Sequence, residues 1–100
     1  MKLTFEAIDK ERLCVKYVGK ISIENAADIG NAIKNKLENV RELIFDFSEV
    51  PYISSAGLRM LLDVYKTLQL QKGSVYIKNA NADVKNVFDL SGFQGFINVI

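Results

Sequence analysis

The sequence contains no histidine and a single cysteine, Cys14. Without an imidazole there is no usual base for a serine or cysteine nucleophile, so Ser-His-Asp and Cys-His hydrolytic chemistry are excluded. One cysteine closes no internal disulfide and supplies no typical zinc set, and Cys14 reads as an ordinary strand residue. Neither G-x-x-x-x-G-K-S/T nor G-x-G-x-x-G occurs, which leaves no glycine-rich cradle for phosphate and assigns any nucleotide to a partner. No apolar run is long enough to cross a bilayer, and the opening MKLTFEAIDK lacks the apolar core and cleavage site of a secretory signal; the cytoplasm is the expected location. The formal net charge is only +1 and the charges are dispersed, so no basic stripe points to nucleic acid and no membrane contact is implied. Carboxylates such as Glu38 and Asp63 fall on separate elements with no sign of convergence, and the chain is not expected to be an enzyme.

What remains is 100 residues with 49% hydrophobic content, enough for one core and too few for two. Residues 1–100 are read as one domain. LTFEAI and ERLCVKYV alternate apolar and polar residues around the polar turn Asp9, Lys10 and Glu11, the pattern of a hairpin. Gly19 breaks the second strand, and Ser22, Glu24 and Asn25 offer helix-start chemistry before ENAADIGNAIKNKLEN, where Ala26, Ile29, Ile33 and Leu37 share a face. Gly30 in that helix permits close packing. RELIFDF is nearly continuous in apolar residues and suits a central strand buried on both faces. In GLRMLLDVYKTLQLQK, Leu58, Leu61, Leu62, Tyr65 and Leu68 form one stripe. SVYIKN is a further strand, NADVKNVFDLSG a helix capped by Asn79 or Asn81 and stopped near Gly92, and FINVI a last apolar strand. Strands alternating with helices predict an α/β fold: a mixed, mostly parallel sheet of about five strands with the hairpin as its antiparallel pair.

The stretch PYISSAGLRM lies where a strand gives way to the longest helix, at the carboxyl edge where open α/β sheets carry their sites. Ser54 and Ser55 meet a helix start, with unpartnered N–H groups and a positive dipole end. A serine there either caps the helix or accepts a phosphate, whose added charge would alter an exposed rim without rebuilding the fold. Met60 and Val64 sit one turn apart beside the packed stripe and are either further core or the apolar part of a docking surface. Tyr17, Tyr52, Tyr65 and Tyr76 are dispersed and read as core or half-buried residues.

The run LIFDFSEVPYISSAGLRMLLDVYK resembles the signature of STAS domains, in particular the small anti-sigma factor antagonists of bacteria. The resemblance extends through the hairpin, GKISIENA and SGFQGFINVI to nearly the whole chain. A D-S-(S/T/A)-G-(L/I/V) motif opens the helix in that family, and anchoring on Gly57 and Leu58 puts the phosphoacceptor position on Ser55. Ser54 takes the position usually held by aspartate and is the second choice. The resemblance implies a partner switch. The partner is an anti-sigma factor serine kinase of the histidine-kinase-like ATPase type, which uses its own ATP and magnesium, and a PP2C-type phosphatase resets the serine. Ser54, Ser55, Ala56, Gly57, Arg59, Met60 and Asp63 are the implied partner contacts; the chain itself is expected to be a monomer that needs no cofactor or metal. Within the same family the alternative is a docking subunit of an ATPase or stress-sensing complex, with no phosphorylation.

Overall fold

Alternation of apolar residues in three neighbouring strands decides which side of the sheet is covered. The computed structural model describes residues 2–100, apart from the side chain of Gln94. Its strands are β1 (Leu3–Ala7), β2 (Arg12–Tyr17), β3 (Glu42–Asp46), β4 (Ser74–Lys78) and β5 (Asn98–Val99), lying side by side in chain order. β1 and β2 pair antiparallel, and the remaining neighbours pair parallel through α1 (Ala26–Lys34), α2 (Ser55–Leu70) and α3 (Ala82–Leu90). Each parallel crossover steps to the next strand in the same direction, so the right-handed rule sets the helices on one face. Leu13, Leu43 and Val75 lie in one row across the sheet and Val15, Phe45 and Ile77 in the next, all buried. Their alternates, Cys14, Ile44 and Tyr76, with Lys16, Asp46 and Lys78, are only half-buried. β3 is therefore covered on one face, not both: its second face has no helix to meet. Cys14 belongs to that half-covered face, where burial pushes its thiol pKa up, the direction of an unreactive strand residue.

The helices differ from the sequence expectation in register and length. α1 ends at Lys34, and Leu37 packs into the core from the turn beyond it. α2 buries Gly57, Met60, Leu61, Val64 and Leu68, while Leu58, Leu62 and Tyr65 are half-buried. Its buried face is thus rotated toward α1, and Met60 and Val64 are core residues. Gly30 allows this approach, since a Cβ there would stand 2.8 Å from Met60 Cγ. At the far end of α2, Gln71 Nε2 donates to the carbonyls of Leu37 and Val40, both at 2.7 Å, and holds the turn after α1. FINVI supplies only two strand residues, because Phe93 enters a short 3-10 turn (Phe93–Gly95) and stacks on Phe88, whose ring meets Phe47. Asn81, not Asn79, caps α3: its side chain accepts from the Val84 N–H at 2.8 Å.

At the carboxyl edge, side chains and short backbone bonds join the loops. Gly19 N–H donates to Glu49 C=O at 2.9 Å, and Ile21 and Ile53 form an isolated parallel bridge between the β2–α1 and β3–α2 loops. The Asn81 amide donates to the carbonyls of Val50 and Pro51, bringing in the β4–α3 loop. Asp46 Oδ1 accepts from the Ser48 N–H at 2.9 Å and from the Asn79 amide at 3.3 Å. Partial burial pushes the Asp46 pKa up, but the bonds from Ser48 and Asn79 and the charge of Lys78 outweigh it and leave the net value lowered.

Gly57 seats the first turn of α2 against the bridge: a Cβ there would lie 2.5 Å from Ile53 Cγ1 and 2.9 Å from Ile21 Cγ2. Both neighbours are β-branched and fully packed, so they have little freedom to give way. Gly57→Ala is expected to lose about 1–2 kcal/mol in urea unfolding, overpacking outweighing the gain in helix propensity. For Asp46, whose folded-state pKa is depressed, the stabilisation is present above the ordinary value of 3.8 and is lost as pH falls through the lower folded value. Asp46→Asn should therefore be less stable than the parent at neutral pH. The difference in urea midpoint should shrink once the pH drops below 3.8.

Candidate functional site

Ser54 and Ser55 are adjacent in sequence and opposite in role. Ser54 is extended, with φ −90° and ψ 175°, and its Oγ accepts from the Gly57 N–H at 3.3 Å, which makes it the N-cap of α2. Its own N–H donates to Ile21 C=O at 2.9 Å and its carbonyl accepts from Leu58 N–H at 3.0 Å. Ser54 is thus held on three sides. Ser55 is the first helical residue and exposed, and its hydroxyl has no hydrogen-bond partner among the described residues. The N–H groups of Ser55 and Ala56 likewise have no backbone acceptor there, and the first turn of α2 contains no acidic residue. An anionic group carried by Ser55 would meet open donors and the positive end of a 16-residue helix.

Beside this helix end runs a groove of about 480 Å³ between α1 and α2. Ala26, Ala27 and Ala56 keep it open by their small size, and Met60 forms its floor. Ile23, 82% exposed, stands at its mouth, and Tyr52, 51% exposed, lies in the loop leading into α2. Arg59, Asp63 and Lys66 line the α2 side. Asp63 is paired with Lys34 Nζ of α1, whereas Arg59 and Lys66 form no ion pair among the described residues. The free rim is therefore basic.

Of the residues singled out in the sequence, Ser55, Ala56, Arg59 and Asp63 share this surface, with Asp63 already engaged. Gly57 is buried under Ile21 and Ile53 and offers a partner nothing; its importance is to packing. Met60, only 6% exposed, contributes the floor of the groove and no projecting side chain. The expectation that the tyrosines are core or half-buried holds for Tyr17, Tyr65 and Tyr76 but not for Tyr52, which the loop after Pro51 leaves exposed, and Ile23 and Lys66 were not expected at this surface. Ile23 carried a signal, an apolar residue between Ser22 and Glu24 ahead of a helix start, and Tyr52 another, beside Pro51 where packing is interrupted. A second hollow, about 490 Å³, lies where the β1–β2 turn meets the start of β3, lined by Asp9, Glu11 and Glu42 with Lys10, Arg12 and Arg41. Its charges balance, and Arg12 is already paired with Asp9 at 2.8 Å. Among the described residues no group of His, Cys, Asp and Glu has the makings of a metal site, and no helix is long and apolar enough to cross a membrane.

Comparison with known proteins gives this geometry a context. The STAS domain family model matches residues 4–100. BtrV of Bordetella bronchiseptica, provisionally named an anti-sigma factor antagonist, is 33% identical over 101 residues, covering 99% of this chain and 85% of that protein. The anti-sigma-B factor antagonist of Bacillus subtilis is 24% identical over 85 residues, covering 85% of this chain and 78% of its own. SpoIIAA, an anti-sigma factor antagonist and Bacillus cell fate determinant, has been solved in unphosphorylated and phosphorylated forms. These superpose with TM-scores of 0.77 and 0.75 over 98% of this chain, and over 86% and 90% of theirs, at 17% and 18% identity. At that identity the structures speak for the fold, and the family model and BtrV carry the assignment. The chain belongs to the STAS domain family.

Proposed function

We propose that the chain is an anti-sigma factor antagonist that changes partners through phosphorylation of Ser55. The observation that carries this reading is the division between the two serines: Ser54 is consumed in capping α2, and Ser55 is left exposed beside an open groove. The likeness to named antagonists, one of them known in both phosphorylation states, supports it. In the unphosphorylated state the groove, with Ile23 and Arg59 among its lining residues, docks an anti-sigma factor kinase of the histidine-kinase-like ATPase type. That partner brings the ATP and magnesium, and this chain is a substrate and a binding module. In the transfer the Ser55 Oγ forms a bond to the γ-phosphorus, the bond to the β-phosphate bridging oxygen breaks, ADP leaves, and the hydroxyl proton passes to a base of the kinase. A PP2C-type phosphatase hydrolyses the phosphoester and restores the serine. The cycle belongs in the cytoplasm, and the chain acts as a monomer.

Release follows from charge and bulk. A phosphate brings nearly two negative charges to the middle of a surface whose free side chains are basic, and a partner fitted to the unmodified rim loses both complementarity and contact. Ser55→Asp should weaken kinase binding at least about tenfold, roughly 1.4 kcal/mol, while leaving the unfolding midpoint unchanged or raised. Ser55→Ala should bind like the parent and remain bound after incubation with ATP, with no phosphate on residues 42–59 by mass spectrometry. If Ser55→Asp and Ser55→Ala both bind and release like the parent, the phosphorylation switch is wrong and constitutive docking to an ATPase takes its place.

A further inference from the structure

We propose that Arg59 is the residue that receives the Ser55 phosphate, closing a guanidinium–phosphate pair one helical turn along the exposed face of α2. The inference rests on the phosphorylation reading above and adds a named residue to it.

Residues four apart on a helix stand over one another, and an acidic group placed N-terminal to a basic one is the favourable order. Ser55 and Arg59 have this spacing and order, and both are exposed. The carboxylate four residues beyond Arg59 is Asp63, within reach on the helix though in the less favourable order. Asp63 is instead taken by Lys34, reaching across from α1. Arg59 is thereby left without an ion-pair partner among the described residues, on the same helix face as the acceptor hydroxyl. Its planar fork of donors matches two phosphate oxygens at once, which a lysine cannot do.

The same spacing separates the two serines. Four residues after Ser54 stands Leu58, which has no charge to offer, and the Ser54 hydroxyl already accepts from the Gly57 N–H. A phosphate is clamped at Ser55 and only there. Closing the pair also removes Arg59 from the free rim of the groove, so one modification changes the charge of the docking surface twice, once by addition and once by withdrawal.

The test uses the full chain with phosphoserine installed at position 55 by encoded incorporation, so that neither kinase nor partner is needed. Phosphorus NMR follows the second ionisation of the phosphate, near pH 6 in an unperturbed phosphoserine. The helix dipole acts equally on parent and variant, so their difference isolates the guanidinium. The parent should titrate about 0.3 pH unit below Arg59→Gln, and Arg59→Lys should keep part of that shift. With phosphoserine at position 54, Arg59→Gln should leave the midpoint where it was. Equal midpoints for the parent and Arg59→Gln at position 55, no retention in Arg59→Lys, or an equal shift at position 54 would overturn the clamp. Because the readout needs no partner, a clamp that is present while Ser55→Asp binds normally leaves this inference standing and removes only the switching function. A working switch with no titration shift does the reverse.

Discussion

The approach of α2 to the Ile21–Ile53 bridge, with Gly57 between them, sets the position of the edge that carries Ser54, Ser55 and the groove. The bridge is one backbone pairing between two loops, yet both isoleucines are sealed in the core, and the first turn of α2 rests on them without an intervening Cβ. From that seat the cap, the Ser55 hydroxyl and the mouth of the groove take their heights. A helix lifted by the width of one methyl group would carry Ser54 away from the Ile21 carbonyl and Ala56 away from the α1 side of the groove. Dispersion and steric exclusion at a buried glycine thus govern an exposed polar surface several residues away.

Electrostatics then differentiates groups that packing has only placed. Lys34 engages Asp63 across the helix interface, Lys16 engages Glu49 at 3.0 Å, and Asp46 is held by Ser48 and Asn79. Each contact is exposed or half-exposed and contributes little to stability by itself. Their combined effect lies in what they leave unengaged: Ser55, Arg59 and Lys66 along one edge of α2. The surface that a partner would meet is defined by subtraction.

Much of this fold was legible in the sequence because period-two and near-four spacings are local properties. The strand and helix order, the hairpin, the Gly30 approach and the Gly92 stop all follow from them. The one-sided sheet was not legible, since LIFDF is apolar enough for a doubly covered strand and only the placement of all helices on one face leaves Ile44 half-exposed. Met60 and Val64 left two readings open for a related reason: the helix could turn toward the sheet or toward α1, and the small side of Gly30 decided it. At the site, the sequence brought Ser54 and Ser55 to a helix start but could not say which of them the backbone would use as the cap. That depended on Ser54 N–H reaching Ile21 C=O, a contact across 33 residues of chain. Ile23 and Tyr52 were hidden by a general rule, that large apolar residues tend to be inside, which says nothing of the few that are not.

The attachment of α2 at both ends has a further consequence. Its beginning is fixed by the Ser54 cap and the isoleucine bridge, and the turn after its last residue by the Gln71 amide on two carbonyls, roughly 24 Å away along a 16-residue helix. A helix fastened at both ends in this way moves as a unit with the loops it joins, so a load applied at its first turn is carried through the helix to the turn after α1, on the opposite edge of the sheet.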